Sequence, residues 1–311
     1  MSTFRVLVLG ANHFVGRRLS AAIRVTDWAS CFGDDLKFDE RNPASLGQAL
    51  TACDAVVNAA HGSPAAIGTA AKTLYDLASR LAAPPRIIHL SSMTVYGSAV
   101  GDVEENAELR ADLGRYAAAQ LAAERRAAAY PNCVVLRPGC EYGPSCPDWS
   151  GRIARLLMAR RLGDLGAAGD GYCNLIYLDD LTGAILTALR LPGIQGQAFN
   201  LAMPQPPTWN EYFTLFAKAL GAVPLRRIGR RRLQLETKVL APPLRVAEIL
   251  VRRLRLPART PAVLSPSLRR TCEQEIRLDS SKAQNLLGLR CVSLAQGLEF
   301  TAQSLAGGGS Y

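Results

Sequence analysis

Gly10 and Gly16 bound a seven-residue segment, Gly10-Ala11-Asn12-His13-Phe14-Val15-Gly16, that follows the apolar run Phe4–Leu9 and opens an amphipathic stretch ending near Arg24. Residues of these types at this spacing suit the binding of a pyrophosphate. A strand feeding a helix through a tight turn brings the unpaired N–H groups and positive dipole end of that helix to the mouth of a parallel sheet. Gly10 permits the unusual dihedrals of the turn, and Gly16 lets the helix lie close on the strand. A dinucleotide fits such a turn, and a purely structural turn is the alternative. His13 stands midway between the glycines, where a third glycine would give phosphate its closest approach. Its imidazole can obstruct a phosphate or donate a hydrogen bond to one.

The other reactive side chains are dispersed. His13, His61 and His89 lack metal-ligand spacing, and the eight cysteines form no CxxC pair, so the reading is reduced, largely buried thiols and no metal. The formal net charge of +10 is concentrated between Arg226 and Arg270. Such a surface can meet nucleic acid, anionic lipid or a phosphorylated substrate, or be a solvated arginine-rich face. Nucleic acid ranks below a small-molecule partner in this reading.

Positioning these groups falls to alternating strands and helices. Apolar runs at Phe4–Leu9, Trp28–Phe32, Leu36–Phe38, Ala55–Ala59, Ile87–Leu90 and Cys133–Leu136 predict strands. Helix-period segments lie at Phe14–Arg24, Pro43–Thr51, Ala65–Leu81 and Leu113–Ala129. That rhythm predicts an α/β fold, a doubly wound parallel sheet covered on both faces. The turns after Leu9, Asn58, Leu90 and Leu136 should then converge beyond the carboxyl ends of the strands. After Gly139 the chain is rich in Pro and Gly, with helices expected at Leu181–Arg190, Trp209–Leu220 and Lys238–Leu256. The last is amphipathic and reads as a lid or surface helix; it packs on the protein itself in the favoured reading and touches a membrane surface in the other.

With 311 residues and 49% hydrophobic content, the chain has room for one large α/β domain and a smaller lobe. The division read from sequence is residues 1–140 as a nucleotide-binding domain, 141–306 as a mainly helical substrate lobe with segments returning to the core, and 307–311 as a disordered tail. No basic and apolar leader precedes Phe4, and no apolar window reaches the ~18 residues of a membrane span. The expectation is a soluble cytoplasmic protein.

Several further segments, in order, carry a resemblance: Asp54-Ala55-Val56-Val57-Asn58-Ala59-Ala60, Ser91-Ser92-Met93-Thr94-Val95-Tyr96-Gly97, Tyr116 with Gln120 and Glu124, Leu136-Arg137-Pro138-Gly139-Cys140-Glu141-Tyr142-Gly143-Pro144, Ile176-Tyr177-Leu178-Asp179-Asp180 and Asp279-Ser280-Ser281-Lys282. With the Gly10–Gly16 turn they resemble the extended short-chain dehydrogenase/reductases, the NAD(P)-dependent epimerase/dehydratase family with its Rossmann-type fold. The resemblance implies NAD or NADP along Gly10, Asn12, His13, Phe14, Val15 and Gly16, and along Asn58, Ala59 and Ala60. Asp34 (or its neighbour Asp35) would bind the adenine ribose and favour NAD, and Asp39 would lie by the adenine edge. It implies Tyr116 as the acid/base and Ser92 polarising the reacting oxygen, with Tyr96 either touching substrate or packing. Family members are often homodimers through a two-helix face that would include Leu113–Ala129.

Two positions depart from the family. A lysine usually stands one helical turn after the tyrosine, lowering its pKa from about 10 and holding the nicotinamide ribose. Here that position is Gln120, which can hydrogen-bond a ribose but adds no charge. Position 13, a histidine, is the other. Cys140 and Cys173 stand where epimerase-like members place an Asn and an Arg on a substrate diphosphate, so Cys140 is the substrate-side residue here. The leading expectation is therefore an NAD(P)-dependent oxidoreductase acting on a secondary alcohol or ketone of a small or lipophilic substrate. The alternatives are a nucleotide-sugar epimerase/dehydratase and a catalytically impaired binding or regulatory protein, the last with its arginines available to RNA.

Overall fold

Alternation of short apolar strands with alanine- and leucine-rich helices folds as a wound parallel sheet because each strand, once covered by helices on both faces, can be apolar throughout. The computed structural model describes residues 3–32, 40–229, 232, 264 and 266–307. Asp34, Asp35, Asp39, the strand expected at Leu36–Phe38, the helix expected at Lys238–Leu256 and residues 308–311 lie outside the described residues.

The strands are β1 (Phe4–Leu9), β2 (Ala29–Phe32), β3 (Ala55–Asn58), β4 (Arg86–Leu90), β5 (Gly101–Val103), β6 (Cys133–Pro138), β7 (Cys140–Tyr142), β8 (Leu175–Tyr177), β9 (Ala198–Leu201) and β10 (Ile276–Leu278). Six of them form one parallel sheet in the order β2-β1-β3-β4-β6-β9. Every residue of β3 and β6 is buried. Helices α1 (Phe14–Arg24), α2 (Pro43–Ala52), α3 (Pro64–Ala78), α4 (Arg115–Ala128), α5 (Ile153–Met158), α6 (Leu178–Arg190) and α7 (Trp209–Ala219) follow in chain order. The α2–α3–α4 layer shares a core with the sheet through Leu7, Leu9, Leu50, Val56, Leu74, Ala123 and Ala127. Helices α1 and α6 pack together as a separate pair.

Two compact units divide the chain. The first comprises residues 1–139, 176–204 and 278–291 and holds the parallel sheet; the second comprises residues 140–175, 205–277 and 292–311. Within the second, Trp209, Tyr212, Phe213 and Phe216 of α7 are fully buried, and ring contacts link Tyr212 to Tyr142 and Trp209 to Trp149. Thr208 and Glu211 cap α7 reciprocally, satisfying donors at its start.

The strand order reverses between β1 and β3, and in wound parallel sheets ligands bind in the crevice beyond the strands at such a point. Gly10 ends β1 there with φ +79°. A Cβ on Gly10 would lie 2.4 Å from the Ala59 carbonyl oxygen, and one on Gly16 would lie 2.2 Å from the Gly10 carbonyl oxygen. Both glycines are thus fixed by backbone closeness.

Candidate active site

Helix α1 begins at Phe14 with His13 as its N-cap, and the His13 side chain accepts no hydrogen bond from the first turn. By contrast α2, α3 and α7 are capped by Asn42, Ser63 and Thr208. The first-turn amides of α1 therefore face the crevice without a side-chain acceptor. The His13 N–H donates to Gly10 O at 2.9 Å, closing the turn. Asn12 is exposed, whereas Phe14 and Val15 are buried, so the latter two can offer a ligand only their backbone. Above the turn the His13 and His61 rings stack at 4.1 Å with 13° between planes, and His13 also lies against Phe14. Burial, then the charges of His61 and Arg17, push His13 from 6.5 down to about 4. The Gly10 N–H donates to Glu40 Oε2 at 2.7 Å. Glu40 thus sits at the Gly10–Gly16 turn, whereas the acids expected nearby were Asp34 and Asp39.

Asn58, expected along the cofactor, is hydrogen-bonded through both atoms of its amide. Its Nδ2 donates to His89 Nδ1 at 3.1 Å, while its Oδ1 accepts from the Ala60 N–H at 3.3 Å, fixing the Asn58–Ala60 turn. Tyr75 Oη lies 3.0 Å from the same imidazole nitrogen. With the Asn58 amide donating, His89 Nδ1 is an acceptor and the ring is neutral. Burial accordingly takes His89 down to about 4. Ala59 is buried and Ala60 partly so.

At the end of β4, Ser91 and Ser92 point to different tasks. Ser92 Oγ accepts from the Thr94 N–H at 3.3 Å and caps the short turn Met93–Tyr96, keeping its own hydrogen to donate. Ser91 donates to the Glu124 carboxylate. On α4, Tyr116 is 36% exposed and Gln120 is buried, with Gln120 Nε2 donating to Tyr116 Oη at 2.9 Å. The four-residue spacing puts Tyr116, Gln120 and Glu124 in one row along the helix. This row combines a solvent-accessible phenol, an amide that orients it and a buried carboxylate that anchors the helix. Such an arrangement can pass a proton to or from an oxygen placed before Tyr116.

Residues 6–202 match the family described as NAD dependent epimerase/dehydratase. The chain belongs to that family. No curated protein matches the sequence. Among solved structures, RMD from Pseudomonas aeruginosa complexed with NADPH is 18% identical, with TM-score 0.72 over 97% of this chain and 99% of its own. The UDP-glucuronic acid 4-epimerase from Bacillus cereus, in complex with UDP-glucuronic acid and NAD, is 19% identical, with TM-score 0.70 over 98% and 99%. The dTDP-glucose 4,6-dehydratase from Bacillus anthracis is 16% identical, with TM-score 0.71 over 98% and 97%. These likenesses establish the Rossmann-type fold.

In this epimerase/dehydratase family member, Tyr96, read as touching substrate or packing, and Cys140, read as substrate-side, are both buried. Tyr96 is fully buried; its hydroxyl lies 2.6 Å from Arg137 Nη1 and donates to Asn200 Oδ1 at 2.6 Å. Of the two roles read for Tyr96, the structure selects packing. Arg137 in turn donates to Glu124 Oε1 from Nε and Nη2, at 3.0 and 2.6 Å, both side chains being buried. Cys140 is also buried, and burial pushes its thiol and that of Cys173 far up, so both are neutral. Its sulfur is enclosed, which removes the expected substrate-side contact. The following residue, Glu141, has a carboxyl raised to about 7 by burial and then by Asp148. All eight cysteines are free thiols. Among the described residues no His, Cys, Asp or Glu cluster could hold a metal, and no helix is long and apolar enough to cross a membrane.

Proposed function

We propose that this chain binds NAD or NADP along the Gly10–Gly16 turn and catalyses hydride transfer at a secondary alcohol or ketone carbon of a nucleotide-diphosphate sugar. The observation that carries this reading is the Tyr116–Gln120 hydrogen bond at 2.9 Å in a row that ends on Glu124. The residues present suit the cofactor: α1 has uncapped first-turn amides, Gly10 has a positive φ, and the Asn58–Ala60 turn is tethered beside it. The sugar-nucleotide class is supported by what similar proteins hold, UDP-glucuronic acid with NAD in the Bacillus cereus epimerase and UDP-glucose with NAD in MoeE5. It takes precedence over the small or lipophilic substrate expected from Cys140 and Cys173.

When bound, the nicotinamide accepts or gives the hydride. Ser92 donates its hydroxyl hydrogen to the reacting oxygen and polarises it. Tyr116 gives a proton to a ketone oxygen or takes one from a carbinol, and Gln120 holds the phenol in place. General acid/base help of this kind is worth roughly 10²- to 10⁴-fold. An amide supports the phenolate with one hydrogen bond and no charge, so deprotonation at Tyr116 is assisted less than beside a lysine.

The test is turnover of the purified full chain with NAD or NADPH and a panel of UDP-, dTDP- and GDP-linked sugars, followed by nicotinamide absorbance and product mass. Conversion of at least one sugar nucleotide is expected. Absence of binding to either cofactor, with no conversion, would overturn the reading. The uncharged Gln120 favours one second reading, a binding protein that retains the fold. Cofactor binding without conversion, in both the native chain and Gln120→Lys, would assign that role instead.

A further inference from the structure

The stacked imidazoles have no counterpart in a glycine-only phosphate turn. His13 is held by its main chain, whose N–H donates to Gly10 O while its C=O accepts from Arg17 N–H at 2.8 Å. Its Nδ1 is buried and has no hydrogen-bond partner. Its ring is covered by His61, an exposed residue of the loop after β3. The stack is thus carried by the N-cap residue of α1, the end of the helix at which a pyrophosphate would bind.

We propose that His13 is the anion-recognition side chain of the turn, that a dinucleotide binds with His13 protonated, and that His61 is the ring that gives way as the ligand enters. This rests on the cofactor reading above. One proton from solvent adds to the lone pair of a neutral imidazole nitrogen; no other bond changes. In the free protein two imidazolium rings 4.1 Å apart would repel, and Arg17 on the next turn adds a third positive group, so His13 is neutral there, near 4. Glu40, the acid at this turn, is spent on the Gly10 N–H, and Arg18 farther along α1 is paired with Asp179 at 2.5 Å. A pyrophosphate supplies the negative charge that the stack lacks and raises the proton affinity of His13. Because the bound state then holds more protons than the free state, affinity rises as pH falls through the bound-state value and levels off below about 4.

Calorimetric titration of the full chain with NAD, which does not itself titrate in this range, in two buffers of different ionisation enthalpy tests the proposal. Uptake close to one proton is expected at about pH 5.5, with affinity about tenfold tighter than at about pH 7.5. His13→Gln, which keeps a donor but cannot titrate, should bind with no uptake and a flat profile. NAD binding to the native chain without proton uptake, or His13→Gly binding more tightly at every pH, would overturn the proposal and leave the cofactor reading intact. Failure of the native chain and of His13→Gly to bind NAD would overturn both.

Discussion

In the proposed reaction Tyr116 and Gln120 carry the chemistry, and their hydrogen bond sets what a single substitution should do. Tyr116→Phe removes the proton donor while leaving the packing of α4 unchanged. Sugar-nucleotide turnover should fall roughly 10²- to 10⁴-fold, with NAD affinity changed by less than about threefold in the same titration. Gln120→Lys introduces a cation one turn from the phenol and should move the rising limb of the oxidation rate toward lower pH; an unmoved limb would mean that Tyr116 is not the group titrating. The pair was legible in the sequence because four-residue spacing on a helix guarantees proximity. Tyr96 was not, since whether a tyrosine beside a strand end faces ligand or core depends on Arg137 and Asn200, distant in sequence. Asn58 ends β3 beside Leu9, and its amide faces inward to His89, a contact across neighbouring strands that no local pattern announces.

Elements position these residues by closeness of backbone and by buried ion pairing. Gly10→Ala would put a Cβ 2.4 Å from Ala59 O at φ +79°. A cost of at least about 2 kcal/mol in urea unfolding is expected, together with loss of NAD binding as β1 and the Asn58–Ala60 turn move apart. Glu124 joins α4 to β6 through Arg137 and to the end of β4 through Ser91. Glu124→Ala leaves a buried guanidinium without its carboxylate and should destabilise by about 3–5 kcal/mol. Glu124→Gln, retaining hydrogen bonds to both partners, should cost less. Strands β1, β2, β3, β4 and β6 and helices α1 to α4 were readable because each is a clean apolar run or a helix-period segment, whereas β5, Gly101-Asp102-Val103, carries no such run. Strand β9 was not: Ala198-Phe199-Asn200-Leu201 is four residues long, lies in a Gly- and Pro-rich stretch, and becomes a strand by pairing with β6.

Across the whole molecule, pH acts on stability through buried groups of opposite sign. His89 is held neutral, its proton affinity lowered from 6.5 to about 4. The unfolded chain therefore binds the extra proton first, and the stability held above about pH 6.5 declines as pH falls toward 4. Glu141, raised from 4.5 to about 7, works the other way, losing its contribution as pH rises through that range. The two slopes partly cancel in the native chain, so the informative quantity is a difference. Between about pH 7.5 and 5, the native protein should lose about 2 kcal/mol that His89→Asn does not lose; equal slopes in the two proteins would refute the neutral assignment. The wound sheet could be anticipated from strand–helix alternation, whereas the units interleave three stretches of chain each, and contacts so distant in sequence leave no local signature.

In the proposed reaction the Gly10–Gly16 turn and Tyr116 serve one cofactor. A crystal structure of the full chain with NAD bound tests it most directly. The pyrophosphate is expected on the first-turn amides of α1 beside His13, and the nicotinamide end at Tyr116. A dinucleotide bound away from the Gly10–Gly16 turn, or lying along it with Tyr116 turned away from the nicotinamide, would contradict it.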